Sequence, residues 1–205
     1  PAELNTQNRR FKLADIRKTA RMNRYENSFV WLADAGVALP CYNITEPKTP
    51  LRLSEQSNLF RLYMCDTGLL CAATMENVQF DILRGDLSVN MGSILENTFA
   101  QLLKTNGFEL RYMNRKNLGE IDFIFQRGKT VVPVEVKSGS DFERHPALNN
   151  ILRVSDWGIN KAYVFCKGNI SVRDKITYLP WYMAMFFEQE RLPEHLIVDV
   201  DLKNL

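Results

Sequence analysis

The chain has 205 residues, 45% of them hydrophobic, with 26 Lys and Arg against 24 Asp and Glu and a formal net charge of +2. That content suffices to bury a core in one large or two small domains, and it excludes a disordered chain. A charge so close to zero makes no global demand for nucleic acid, so any binding surface has to come from local asymmetry.

Cys41, Cys65, Cys71 and Cys166 form no C-x-x-C pair, which argues against a zinc ribbon or an iron-sulfur cluster and fits thiols in a reducing compartment. No signal peptide or apolar run of bilayer length occurs, so the expected location is cytoplasmic, with no membrane partner. A start at Pro1 rather than methionine is the pattern expected of a piece of a longer protein.

The one strongly basic region comes first: Arg9, Arg10, Lys12, Arg17, Lys18, Arg21 and Arg24 stand against Glu3, Asp15 and Glu26 in the first thirty residues. Leu13, Ile16 and Ala20 have helical spacing, and a second helix is expected from Tyr25 to Gly36, with Tyr25, Phe29 and Leu32 as its apolar face and Gly36 as its end. Extended segments follow at 37–44 and 59–64, with Pro47 and Pro50 in a turn between them. Helix, turn, helix and two strands is the order of a winged helix, a module that binds duplex DNA through its second helix and basic flanks. Arg17, Lys18, Arg21 and Arg24 are the candidate DNA contacts; a solvated face packed beside another domain fits the same charges.

A short helix is expected from Asp66 to Ala73, capped by Asp66 or Thr67. The irregular stretch 81–90 marks the expected boundary, giving domains of 1–80 and 81–205. Gly92 to Gly107 reads as a helix with Ser93 as cap and Leu95, Phe99, Leu102 and Leu103 as its stripe, and Glu96 lies beside that stripe. A carboxylate there is either exposed near the helix start, where the macrodipole favours it, or turned into a polar site beneath.

After a strand at 108–113 comes a hairpin. Ile121, Phe123 and Phe125 alternate with Glu120, Asp122 and Ile124, and Val132, Val134 and Val136 alternate with Pro133, Glu135 and Lys137. With Arg127 and Gly128 as the turn, Asp122 faces Pro133 and Glu120 faces Glu135; a longer loop puts Asp122 opposite Glu135. Either register leaves Asp122, Glu135 and Lys137 on one face, where carboxylates about 5 to 8 Å apart can share a cation. An ordinary Glu135–Lys137 ion pair, worth under about 1 kcal/mol, accounts for part of the same pattern. A helix at 146–154, strands at 161–166 and 176–179, a closing helix at 181–187 and a terminal strand at 196–200 complete the expected order.

These residues carry a family resemblance. Glu96 on a helix, Asp122 on a strand, Glu135-Val136-Lys137 on the next, then a helix and a strand resemble the PD-(D/E)XK nuclease superfamily in its α-β-β-β-α-β order. Phe60-Arg61-Leu62-Tyr63, Asp66-Thr67-Gly68-Leu69, Gly92 with Leu95-Glu96-Asn97, Gly119-Glu120-Ile121-Asp122-Phe123 and Pro133 to Gly139 resemble the DUF4143 domain, which forms the C-terminal half of many prokaryotic AAA-type ATPases. The resemblance implies an α/β (α+β) restriction-endonuclease-like core, a mixed sheet flanked by helices, behind the winged-helix-like module. It further implies Mg²⁺ (or Mn²⁺) at Asp122, Glu135 and the Val136 carbonyl, with Glu96 completing the site directly or through water. Lys137 would act on the attacking water or on the charge developing at phosphate, and Glu120 would stand behind the ligands. DNA is the implied substrate, and an ATPase module would precede Pro1; a non-catalytic DNA-binding or interaction module is the alternative. Gly128-Lys129-Thr130 is no phosphate loop, because Phe123 stands where its first glycine belongs. His145 is expected at the surface, His195 has no partner in the sequence, and Trp31, Trp157 and Trp181 are expected in a core or an interface.

Overall fold

The computed structural model describes residues 22–74, 80, 84 and 91–189, leaving out the side chains of 22–27 and 74. The elements in chain order are α1 (Met22–Asp34), β1 (Ala38–Ile44), β2 (Glu55–Met64), α2 (Thr67–Thr74), α3 (Gly92–Thr105), β3 (Arg111–Arg115), β4 (Gly119–Ile121), β5 (Phe123–Arg127), β6 (Thr130–Val136), α4 (Pro146–Leu152), β7 (Ala162–Cys166), β8 (Ser171–Arg173) and β9 (Ile176–Pro180). Short 3-10 turns lie at Leu51–Ser54, Ser155–Trp157 and Trp181–Phe186. The first expected helix, the boundary stretch 81–90 except Arg84, the strand at 196–200 and His195 fall outside the described residues.

Two mixed sheets form, in the orders β2-β1-β3-β4 and β5-β6-β7-β9-β8. β1 pairs antiparallel with β2 and parallel with β3, so the two strands expected as a wing are hydrogen-bonded to a strand beyond residue 80. In the second sheet β6, β7 and β9 run parallel, with β5 and β8 antiparallel at the edges. β6 is apolar from Val131 to Val134 because both of its faces are covered.

Side-chain alternation along β6 and β7 divides the core in two. Val132, Val134, Tyr163 and Phe165 pack with Phe99, Ala100 and Leu103 of α3, joined by Cys41, Tyr63 and Tyr112 from the other sheet. Val131, Val164 and Cys166 pack with Leu148 and Ile151 of α4, joined by Ile44, Met113 and Ile121. Each core therefore takes side chains from both sheets and fixes their relative placement.

The single long strand expected at 120–125 is interrupted. β4 ends at Ile121 and pairs with β3, β5 begins at Phe123 and pairs with β6, and Asp122 alone sits at the bend between them. The hairpin register is the one that brings Asp122 to the level of Glu135, since Phe123 pairs with Val134 and Arg127 with Thr130. A two-residue turn of Gly128 and Lys129 produces it, displaced by one residue from the turn expected; Gly128 takes φ +57°, the sign needed at the first central position of a type II′ turn.

Gly119, which opens β4, has φ +101°, and a Cβ there would lie 2.7 Å from Ala147 Cβ on α4. Gly119→Ala is expected to destabilise the fold by about 2 to 3 kcal/mol through backbone strain and this clash. Urea unfolding measures it, and a parental midpoint would mean that α4 yields without cost.

Candidate functional site

α3 starts at Gly92 without a side-chain cap, contrary to the role expected of Ser93, and its buried positions are Ile94, Glu96, Asn97, Phe99, Ala100 and Leu103. Glu96 therefore points inward rather than to solvent. Asn97 fixes the depth of the helix by accepting the Met64 N–H (2.8 Å) and donating to the Met64 carbonyl (3.1 Å) and Thr67 Oγ1 (3.0 Å). Asp66 caps α2, accepting from the Gly68 and Leu69 amides. These bonds place the Glu96 carboxylate against Arg61 and Tyr63, which share one face of β2.

Arg61 is 1% exposed. Its Nη1 donates to Glu96 Oε1 at 2.8 Å, its Nη2 pairs with Glu120, and its guanidinium lies 4.2 Å from the centroid of the Tyr112 ring. The Tyr63 hydroxyl donates to the same Glu96 oxygen, and the Asn114 amide donates to Glu120. Burial opposes a charged guanidinium here, but the Tyr63, Glu96, Glu120 and Asp122 groups around it outweigh that and hold Arg61 protonated. Burial, followed by the Glu96 charge, pushes the Tyr63 hydroxyl well above its ordinary value and keeps it a donor.

At the bend, Asp122 is buried and its Oδ2 accepts the Val136 N–H at 2.9 Å, so the carboxylate is clasped to the end of β6. Glu135, also buried, lies 2.9 Å from the Lys137 ammonium. Burial, then the Glu135 and Glu96 charges, drive the Asp122 carboxyl well above the usual carboxylate range, and the Val136 amide and Arg61 only partly offset this. The side chains of Lys137 and Glu120 are 28% and 27% exposed and form the solvent edge of the cluster. Lys137 is held through its backbone: its N–H donates to the Phe165 carbonyl (2.8 Å), and its carbonyl accepts the Trp181 indole N–H (3.0 Å).

Glu96, Asp122, Glu135 and Lys137 thus come into one electrostatic neighbourhood, with Val136 between the last two. The donors are all oxygen, which suits a hard divalent cation, and the repulsion concentrated on Asp122 and Glu135 is the kind a cation relieves. Among the described residues, however, no three His, Cys, Asp or Glu side chains stand together as a metal-holding set. The residues that could hold such an ion are Asp122 and Glu135, whose charges repel most directly, and Oε1 of Glu96 is taken by Arg61 and Tyr63.

Several expectations are corrected. His145 is buried rather than at the surface, its ring nitrogens 2.6 Å from Tyr178 Oη and 3.1 Å from Asn149 Oδ1, because it precedes α4 where that helix packs on β9. Trp31 is 74% exposed and so lies in no core of the chain, whereas Trp157 and Trp181 pack against the two cores as expected, with Arg115 over the first and Lys167 over the second. Arg17, Lys18, Arg21 and the Arg24 side chain lie outside the described residues. The sequence reading missed Arg61, Tyr63 and Asn114 as parts of the site. The signal for the first two was the i, i+2 spacing of a charged and an aromatic residue within an apolar strand.

Fold and site together define a mixed α/β protein with a buried acidic cluster, partly compensated from within, where its two sheets meet. No described helix is long and apolar enough to cross a membrane. Residues 91–183 match the domain of unknown function DUF4143, bearing out that resemblance, and residues 3–79 match the domain of unknown function DUF8612. A UPF0102 protein of Aliarcobacter butzleri (strain RM4018) is 42% identical over 67 residues, 32% of this chain and 59% of that protein. A UPF0102 protein of Kosmotoga olearia is 38% identical over 56 residues, 27% of this chain and 49% of that protein. The chain thus spans 49% to 59% of the length of these curated relatives. No solved structure matches the chain.

Proposed function

We propose that this chain is a divalent-metal-dependent, PD-(D/E)XK nuclease-like part of a prokaryotic AAA-type ATPase, binding DNA and cleaving its phosphodiesters. The observation that carries the reading is the pair of buried carboxylates Asp122 and Glu135, mutually repelling and adjoined by the half-exposed Lys137. The order α3, β3, β4 with β5, β6, α4, β7 supports it, since it follows that superfamily's helix and strand sequence. Asp122 and Glu135 would hold Mg²⁺ or Mn²⁺, with the Val136 carbonyl beside them and Glu96 behind. Such an ion, when bound, supplies Lewis-acid polarisation of the phosphodiester and a water of lowered pKa.

The protein's own contribution is placement. Lys137 sits at the solvent edge, where its ammonium can meet a phosphate oxygen and offset charge developing there. Trp181 and the Phe165 carbonyl anchor its backbone, so the side chain works from a fixed base. Asp122 and Glu135, both buried, keep the reacting edge narrow. Arg17, Lys18, Arg21 and Arg24 are proposed as additional phosphate contacts, and the ATPase module as part of the same intact polypeptide.

A non-catalytic DNA-binding or interaction module is the second reading, favoured by the ion pairs that Arg61 and Lys137 already make within the cluster. Cleavage of single-stranded, duplex and branched DNA in Mg²⁺ or Mn²⁺ separates the two. Wild type is expected to cut at least one substrate, and Lys137→Ala to cut about 10²-fold more slowly or worse. No cleavage by wild type, or equal rates in the two proteins, removes the enzyme reading.

A further inference from the structure

A groove of about 440 Å³ opens at the amino-terminal end of β6, away from the acidic cluster. Three segments far apart in the chain wall it: Lys48 and Thr49 before the first 3-10 turn, Lys129 and Thr130 at the β5–β6 turn, and Trp157 with Asn160 before β7. Val131, the last residue of β6 to reach the groove, stands four residues before Glu135, so roughly 13 Å of strand separates groove and cluster. The Thr49 hydroxyl donates to the Lys129 carbonyl at 3.2 Å and the Leu51 N–H to Gln126 Oε1 at 3.1 Å, which ties the first wall to the second. Trp157 is set by the 3-10 turn Ser155–Trp157, which Gly158 closes at φ +57°. Among the described residues no carboxylate lines the groove, and the Lys129 ammonium, the Asn160 amide and the Trp157 indole N–H have no hydrogen-bond or ion-pair partner. Lys48 stands 3.7 Å from Glu46, both side chains about half exposed, and the Arg115 guanidinium lies 5.8 Å from the centroid of the Trp157 ring.

An indole ring, an unpartnered carboxamide and two lysines around a space of this size match the parts of one nucleotide. The base stacks on an aromatic ring, its edge meets an amide, and its phosphate meets ammonium groups. We propose that the groove binds a nucleotide, with the base against Trp157 and Asn160 and the phosphate against Lys48 and Lys129. A nucleotide within a single strand and a free mononucleotide share this chemistry; Arg115 favours the strand, because it offers a further cation for the next phosphate. A duplex does not suit the groove, since its stacked and paired bases leave no free face for Trp157. The site uses neither Asp122 nor Glu135, so it goes beyond the nuclease reading and does not rest on it.

Binding of the full chain to a fluorescein-labelled oligothymidylate in EDTA, read by anisotropy beside a duplex of equal length, tests this without cleavage. Wild type is expected to bind the single strand at least about tenfold more tightly than the duplex, Trp157→Ala to lose about tenfold, and Trp157→Phe to stay within about threefold. Lys129→Ala is expected to lose about fivefold and to lower the slope of log affinity on log salt by about 0.7, the value of one single-strand phosphate contact. Trp157 also packs against a core, so Lys129→Ala and Asn160→Ala, both at exposed positions, decide the matter if Trp157→Ala fails to fold. Calorimetry with AMP separates the two sources: AMP bound with no strand bound, and weakened in Lys129→Ala, assigns the groove to free nucleotides. Neither probe bound, duplex held as tightly as single strand, or binding that the Lys129 and Asn160 variants leave unchanged overturns the proposal. A chain that binds the strand and never cuts DNA loses the nuclease reading and keeps this one. A chain that cuts DNA while these variants bind as wild type does keeps the nuclease reading and loses this one.

Discussion

Asp122→Asn is expected to make the protein more stable at neutral pH while reducing metal-dependent cleavage by about 10²-fold or more. The two effects have one origin. Asp122 is buried beside Glu135 and Glu96, and its carboxyl is forced well above the usual range. An amide of the same shape keeps an oxygen for the Val136 N–H and removes the repulsion; it also removes a charge that a cation needs. The sign of the pH dependence follows from linkage. An unfolded aspartate titrates near about 3.9, whereas the folded one holds its proton to higher pH, so between the two values the native state binds more protons. Stability is therefore fully present below the unfolded value and is lost as pH rises toward the folded one. Wild type without divalent ion is expected to show this decline in its thermal midpoint, Asp122→Asn to lack it, and excess Mg²⁺ to restore wild type. Parallel melting curves for the two proteins across that range would contradict the account.

Arg61→Gln is expected to act in the opposite direction, destabilising the metal-free protein by about 3 to 5 kcal/mol, the usual cost of removing one partner from a buried ion pair. Glu96 and Glu120 both lose their cation, and the Tyr112 ring loses the guanidinium it lies against. Adding Glu96→Gln is expected to recover part of that loss, because one buried charge that Arg61 compensated is then gone; chemical denaturation of both singles and the double gives the coupling. Additive losses would show that Arg61 acts by filling space rather than by compensating charge. Asp122 and Arg61 thus bracket the cluster, one an excess of negative charge that the fold bears and the other the positive charge that lets it do so.

The elements nearest the hairpin were the most legible in the sequence. The apolar runs marked β5 and β6, whose two faces lie against the two cores, and the Gly92 to Gly107 spacing marked α3, which has one face against a core. The break at Asp122 was not legible: Ile121, Asp122 and Phe123 continue the alternation, and only the pairing of β4 with β3 rather than β6 divides the strand. Nor was the parallel pairing of β1 with β3 foreseeable, since it joins segments nearly seventy residues apart with no local signal at either. Of the site, Asp122, Glu135 and Lys137 could be placed on one face from parity alone. Glu96 could be placed on the right helix but not given its partners, because Arg61 reaches it from a strand that sequence order assigned to a different module. His145 was misjudged for a similar reason, since only the packing of α4 on β9 makes a lone histidine an interior residue.

The bend at Asp122 also has a mechanical meaning. No ladder hydrogen bond joins β4 to β5, so along the chain one residue is the pivot between the two sheets. Glu120 travels with the first sheet, tied to Arg61, and Glu135 and Lys137 travel with the second. The two cores that span both sheets therefore hold these charges at one spacing about Asp122.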